Sequence, residues 1–302
     1  MAEEKTIKAE AVIKIVGVLT DVTRVNKSIN KAGHNAIGVN VSVRANVGGV
    51  DYTYPIEFYT SDVTAAGAHS KLYDTYCMIE EKFKGKKVEI EGTIDENRFY
   101  STYKKEVVST NRLKGRFISE AKFDTPEGGS FEVDGIYGGI QEILAPDTKE
   151  LTGYAISIIV PNYNNTKMSK IGLHLDASNT ALVTGRKGIK PGECFGWVGS
   201  LKYTENKVVK EDKSVRFGAP IRKTYTTYTK LAEITSVKDL LDKDDKPVVF
   251  CDKATVSALL SGYKAESEDI KAKSSQKGTG QEASAPASGS KEGSAVDFGD
   301  MF

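Results

Sequence analysis

Between Ile37 and Asn46 the chain alternates without a break: Ile37, Val39, Val41, Val43 and Ala45 against Gly38, Asn40, Ser42, Arg44 and Asn46. A period of two marks a strand with one buried face, because successive side chains leave a strand on opposite sides. The pattern returns further on, with Val88, Ile90 and Ile94 on one side and Lys87, Glu89, Glu91 and Thr93 on the other. Residues 52–59 are a further extended stretch, and strands around 12–19 and 107–118 bring the number to five. One helix interrupts them. Leu72, Tyr76, Ile79 and Phe83 fall at helical spacing within 65–84, and Gly85 stops it.

Three strands, a helix and two strands is the order of a five-stranded Greek-key OB barrel. The second half repeats that plan, with candidate strands at 131–144, 151–160, 167–175, 194–203 and 221–234 and a helix of at most two turns at 179–188. Residues 84–94 can be laid over 191–201, so that Gly85 and Gly92 match Gly192 and Gly199, and Glu96-Asn97 matches Glu205-Asn206. The first glycine allows the turn into the strand, and the second lets a coiled barrel strand bend. In this alignment Trp197, the only tryptophan, falls on Ile90, with Phe195 on Val88 and Leu201 on Ile94. Trp197 therefore reads as a core residue rather than a stacking platform.

The expected fold class is all-β with minor α: two OB-fold-like Greek-key barrels in tandem, a short helical cap and a disordered C-terminal tail. The first barrel takes residues 1–124, a Pro/Gly linker 125–130, and the second barrel 131–235. A cap follows at 236–263, where Ser236-Val237-Lys238-Asp239 resembles a capping box and an apolar helix runs from about 252 to 263. From Lys264 to Val296 there is no aromatic residue, and a segment rich in Ser, Gly, Ala, Lys and Glu cannot offset its ordering entropy by burial. The tail 264–302 ends in Asp297, Phe298, Gly299, Asp300, Met301 and Phe302.

Several function classes are disfavoured. Cys77, Cys194 and Cys251 are far apart with no Cys-x-x-Cys, and His34, His69 and His174 are scattered, so neither a disulfide framework nor a metal cluster is expected. Gly185-Arg186-Lys187-Gly188 lacks the ending of a phosphate loop, and the acidic run from Asp242 has Pro247 where a calcium loop needs glycine. No enzyme, cofactor or small-molecule substrate is expected. The charged N-terminus and the absence of a long apolar run point away from a membrane and towards a cytoplasmic setting.

Binding is better supported. The chain has 14 Tyr and 11 Phe, many beside Lys or Arg. Rings stack on any base while cations track phosphates, so the combination suits single-stranded nucleic acid. Clusters occur at Arg98, Tyr100, Tyr103, Lys104 and Lys105; at Tyr163, Lys167 and Lys170; and at Arg222, Lys223, Tyr225 and Tyr228. Strand parity adds others. With Ile56 and Phe58 inward, Tyr59 faces out, as do Arg44 and Asn46; with Ile171, Leu173 and Leu175 inward, Lys170 and His174 face out. Tyr59 reads equally well as an ordinary surface tyrosine. The 42 basic and 41 acidic residues nearly cancel, but the tail holds 5 Lys against 7 Asp plus Glu, which leaves the folded part mildly basic. Any binding surface must then come from local segregation and stacking.

The Gly85-x-x-Val88-x-Ile90-x-Gly92 strand after a helix, Phe58-Tyr59 before that helix, and the long tail ending in Phe302 together resemble single-stranded DNA-binding proteins of the bacterial and bacteriophage kind. The resemblance implies that Tyr59 stacks on bases. It also implies that Asp297, Phe298, Asp300, Met301 and Phe302 recruit replication, recombination and repair proteins. Two barrels in one chain depart from the bacterial pattern of one, and the tip has only two acids. The competing readings are a β-rich viral structural or assembly protein and a single-stranded RNA-binding protein.

Overall fold

In the computed structural model, which describes residues 8–145, 147–211 and 222–277, the first half of the chain forms five strands. They are β1 (Glu10–Ile29), β2 (Asn35–Val47), β3 (Val50–Ser61), β4 (Lys87–Ser101) and β5 (Glu106–Glu120). β1 is long because its two halves serve different neighbours. Val12 to Val18 pair with β4, and Val18 to Ile29 pair with β2, with register shifts after Leu19 and Val22 that let the strand turn. β2 pairs with β3, β3 meets β5 in parallel from Ile56↔Leu113 to Phe58↔Gly115, and β5 returns to β4. The circuit β1-β2-β3-β5-β4 closes a Greek-key barrel.

The alternation read from sequence is realised, with Ile37, Val39, Val41, Val43, Ala45, Ile56 and Phe58 all buried. The single helix expected at 65–84 is instead two short ones, α1 (Lys71–Cys77) and α2 (Ile79–Phe83). They break at Met78, whose φ of −105° and ψ of 9° are not helical. Their buried Tyr76, Ile79 and Phe83 plug one end of the barrel, and the Tyr76 ring packs edge-on against Phe58 at 5.0 Å.

The second barrel repeats the circuit with β6 (Gly128–Leu144), β7 (Leu151–Pro161), β8 (Met168–Asp176), β9 (Cys194–Glu211) and β10 (Arg222–Asp239), in the order β6-β7-β8-β10-β9 with β9 returning to β6. Between β8 and β9 lie α3 (Thr180–Gly185) and a 3₁₀ turn, Arg186–Gly188. The first strands of the two barrels pair antiparallel, from Glu10↔Asp134 to Val16↔Gly128, so the ten strands form one continuous sheet. Gly128 and Gly129, expected in a linker, are thus strand residues, and Gly129 has partners on both sides in Ile15 and Leu201. Across the same junction the Tyr54 hydroxyl donates to the Leu201 carbonyl at 3.0 Å, and its ring lies 6.0 Å from that of Tyr203.

Two local expectations are overturned. Ser236 to Asp239 open no helix. They complete β10, paired with Val198, Trp197, Gly196 and Phe195 in turn, and this ladder outweighs the capping pattern. The last helix, α4 (Lys253–Lys277), starts at an Asp252 cap that accepts from the Thr255 amide at 2.7 Å. It continues well past Tyr263, so residues 264–277 are helical rather than tail. Their Ala, Lys and Glu are good helix formers, and Glu266 is tied to the body of the protein. No described helix is long and apolar enough to cross a membrane.

On β6, Asp134 is 9% exposed and its Oδ1 has no hydrogen-bond partner. Burial outweighs the nearby Lys238 and pushes this carboxyl up to about 6. A folded pKa above the ordinary ~3.9 means that ionisation opposes folding. The neutral form's advantage is therefore complete below pH ~4, declines as pH rises through about 6, and is gone above. We expect about 1–2 kcal/mol of stability to be lost across that window after allowance for solvent screening. Asp134→Asn should remove that slope in urea denaturation run from pH ~4 to ~7.

Candidate nucleic-acid interface

In an OB barrel the outer face of the second and third strands, with the hairpins joining strands 1–2 and 4–5, is the surface used for oligonucleotides. In the first barrel Tyr59 lies on that face with 65% of its surface exposed. Its cross-strand partner is Gly38, which has no side chain to cover the ring; even an added Cβ there would stand 3.8 Å from Tyr59 Cδ2. The strand β5 adds cations to the same side. Leu113 faces the core opposite Ile56, so strand alternation sends Arg112 and Lys114 outward, and Arg116, in the bulge where the pairing with β4 slips between Gly115 and Phe117, is exposed. Arg112 reaches Glu57 at 3.4 Å and Asp95 at 3.3 Å, Lys114 also pairs with Asp95, and the Arg116 guanidinium lies 5.1 Å above the Phe117 ring. These three cations were missed from sequence, although the Arg-Leu-Lys-Gly-Arg alternation at 112–116 carries the signal.

Arg44 and Asn46 are exposed but do not join Tyr59. Arg44 is opposite Thr53 while Tyr59 is opposite Gly38, six residues along β2 or about 20 Å away. The Arg44 guanidinium hydrogen-bonds to Asp51, and the Asn46 amide donates to the same carboxylate at 2.8 Å. Those bonds, that from Arg44 first, hold the Asp51 carboxyl below its usual range. This corner of the barrel is electrically balanced within itself.

At the β4–β5 hairpin Tyr103 is 94% exposed and is followed by Lys104 and Lys105, the latter with a left-handed φ of 59° at the turn. Tyr100, on the strand behind it, is half-buried. Tyr163, in the turn between β7 and β8, is 82% exposed, and Lys8 Nζ sits 4.5 Å over its ring.

Of the other cationic positions with described side chains, Arg98 and Lys170 are covered, while Lys167 is exposed but paired. Arg98 donates to the Tyr263 carbonyl at 3.1 Å and Ser267 Oγ at 3.2 Å, stacks 4.0 Å over the Tyr263 ring, and pairs with Glu266 at 2.5 Å. Lys167 pairs with the same Glu266 at 2.9 Å. Lys170, expected on an open face, is only 6% exposed: its ammonium lies 4.7 Å over the Tyr263 ring and its amide donates to Glu96 at 3.0 Å. His174, also expected outward and open, pairs in register with Glu233; burial lowers its pKa and leaves Nδ1 without a partner. Both side chains do leave their own barrel. Lys170 is covered by the first barrel, where Asn111 also exchanges two hydrogen bonds with Gly172 at 2.6 and 3.1 Å, together with α4, whereas the charged groups around His174 are Glu233, Asp176 and Lys202 of its own barrel.

Arg222, Lys223 and Tyr225 have their backbones in β10, and their side chains lie outside the described residues. Tyr228 is half-buried beside Ser42 of the first barrel, and burial raises its pKa. Asp297, Phe298, Asp300, Met301 and Phe302 also lie outside the described residues. Among the described residues no group of three or more His, Cys, Asp or Glu is arranged to hold a metal ion.

A family model described as YorF matches residues 10–271, which takes in both barrels and most of α4. No curated protein matches the chain. Among solved structures, the wild-type single-stranded DNA-binding protein from Thermus aquaticus aligns over 77% of this chain and 93% of its own, with 11% identity and a TM-score of 0.46. The mitochondrial single-stranded DNA-binding protein Rim1 from S. cerevisiae aligns over 37% of this chain and 96% of its own, with 15% identity and a TM-score of 0.27. A small single-stranded DNA-binding protein from Streptomyces coelicolor aligns over 37% and 94%, with 14% identity and a TM-score of 0.26.

Proposed function

The chain belongs to the YorF family, and we propose that it is a non-enzymatic protein that binds single-stranded DNA through the outer face of its first barrel and neighbouring hairpin tips. The observation that carries this reading is the exposed Tyr59 ring on the second- and third-strand face, opposite a glycine and on the side to which Arg112 and Lys114 point, with Arg116 exposed next along the strand. A flat ring accepts any base, and cations spaced two residues apart along a strand can follow a phosphate backbone, so binding is tolerant of sequence. Tyr103 with Lys104 and Lys105 extends the track at one hairpin, and Tyr163 with Lys8 supplies a second ring. Arg98, Lys167 and Lys170 are held by α4 and are not part of the proposed contact surface. In this reading the protein coats single strands during DNA replication, recombination or repair. The acidic, Phe-ended segment 297–302 recruits partner proteins.

Fluorescence anisotropy with labelled single-stranded DNA, single-stranded RNA and duplex DNA, across a salt series, tests the proposal. Tyr59→Ala should weaken single-stranded DNA binding by about 1–3 kcal/mol, roughly 5- to 150-fold, without changing the unfolding midpoint. Salt should weaken binding only modestly, since few phosphates are neutralised. Removing residues 297–302 should leave DNA affinity intact or raise it. No preference for single strands at low salt, or an unaltered Tyr59→Ala protein, would sink the reading.

A further inference from the structure

Tyr263 and Glu266 stand one turn apart on α4 and meet three cations drawn from both barrels. The Arg98 guanidinium lies 4.0 Å, and the Lys170 ammonium 4.7 Å, from the centre of the Tyr263 ring. The Glu266 carboxylate accepts from Arg98 and, at 2.9 Å, from Lys167. Those bonds, that from Lys167 first, hold its carboxyl below the usual range. A second acid belongs to the cluster: Glu96 lies 3.8 Å from Arg98 Nε and accepts from the Tyr263 hydroxyl. One fixed acid against three cations leaves a positive excess wherever Glu266 is withdrawn. A ring over cations with an anion beside it is also what a nucleotide presents, since its base stacks and its phosphate pairs. The cluster adjoins the cations near Tyr59. Asp95, which pairs with Arg112 and Lys114, also accepts from Ser169, next to Lys170, at 3.3 Å.

α4 is held unevenly. Leu259, 4% exposed, packs with Ile136, Ile159 and Met168 and fixes the early turns to the second barrel. From Lys264 to Ser274 no side chain is buried, and Glu266 and Ser267 tie this stretch to Arg98 and Lys167. Segments with few buried apolar contacts open at low cost. Gly262 stands between the two parts, and a glycine inside a helix favours unwinding because its backbone has more freedom to regain.

We propose that α4 from Gly262 onward is a gate over a second single-strand subsite, built by Arg98, Lys167 and Lys170, so that this part of the helix and single-stranded DNA exclude one another. The inference rests on the reading that the chain binds single-stranded DNA. With the gate open, a base takes the place of the Tyr263 ring and a phosphate that of the Glu266 carboxylate. The track from Tyr59 then continues across the junction between the barrels. Closed molecules bind through the first barrel alone, so apparent affinity for a long strand scales with the fraction that is open.

Hydrogen exchange of the full chain, with and without an oligothymidylate of about 30 nucleotides, reads the gate directly; that length serves two barrels at ~4–16 nucleotides each. Saturating DNA should speed exchange of the amides at 264–274 and leave those around Leu259 protected. In anisotropy titrations with the same strand, Glu266→Gln should lower Kd about five-fold or more, through two lost charge-assisted bonds. Asp269→Asn removes the same charge from an exposed position on the same helix and should change Kd little. At Gly262 an added Cβ meets nothing within 4 Å. Gly262→Ala should therefore stiffen the closed helix and raise Kd about two- to five-fold. Unchanged exchange at saturation, or a Glu266→Gln protein that binds no more tightly than Asp269→Asn, would overturn the gate and leave binding through Tyr59 standing. If neither the unaltered chain nor Glu266→Gln bound single-stranded DNA, both readings would fall.

Discussion

Gly92→Ala and Gly199→Ala are each expected to destabilise the protein by about 2–3 kcal/mol or more. A Cβ at Gly92 would stand 1.9 Å from the Lys114 carbonyl oxygen, and one at Gly199 would stand 2.0 Å from the Glu233 oxygen. Both obstacles are backbone, so relief requires a strand to move rather than a side chain to swing aside. The cause is the same in each barrel. The ladder between fourth and fifth strands slips register at Glu91/Gly92 in the first barrel and at Ile234/Ser236 in the second, where the strands bend to close the circuit. The preceding glycines of the repeat, Gly85 and Gly192, have φ of 79° and 97°, which only glycine adopts without strain. Gly185→Ala is the control. Its added Cβ meets nothing within 4 Å, and its helical backbone should tolerate alanine with a gain of about 0.4–1 kcal/mol. Urea denaturation separates the cases, and equal midpoints for Gly92→Ala and Gly185→Ala would contradict the account.

Trp197→Ala should be more damaging still, at about 3–5 kcal/mol. Trp197 is among the largest fully buried side chains and stacks on Tyr137 at a centroid distance of 5.9 Å and an interplanar angle of 26°. Its counterpart Ile90 is equally buried in the first barrel, so both occupy the central position of the fourth strand. Removing the indole would enlarge a cavity that already exists beside it. Trp197→Phe should recover most of the stability, because a ring still fills the site. A surface stacking residue would behave differently: its loss would spare the unfolding midpoint and weaken binding alone.

The glycine pairs and the core position of Trp197 are both legible in the sequence. The period-two alternation specified which residues of 37–46 and 87–94 turn inward, and the glycine spacing aligned the two fourth strands correctly. The capping-box reading at Ser236 failed because a four-residue pattern cannot foresee the partner that a distant strand offers. The tail boundary at Lys264 failed for a related reason. Composition alone reports that a segment lacks a core of its own, not that Arg98 and Lys167 will anchor Glu266 and hold the helix in place.

The candidate site divides along the same line. Strand parity placed Tyr59 on an outer face, and the structure leaves it there beside a glycine. Parity sent Lys170 away from its own core equally well, yet the first barrel and α4 close over it. Local alternation is a property of neighbouring residues, so the sequence by itself determined two barrels, their inward faces and the glycines that bend them. Which outward face stays open depends on contacts between residues up to 169 positions apart, such as Arg98 and Ser267, and only the tertiary structure decided that. The near-balance of 42 basic and 41 acidic residues becomes intelligible in those terms. Arg98 and Lys167 are paired with Glu266 on α4, Lys202 is paired within the second barrel, and on the side of Tyr59 Arg112 and Lys114 face Glu57 and Asp95, so each of these cations meets an acid.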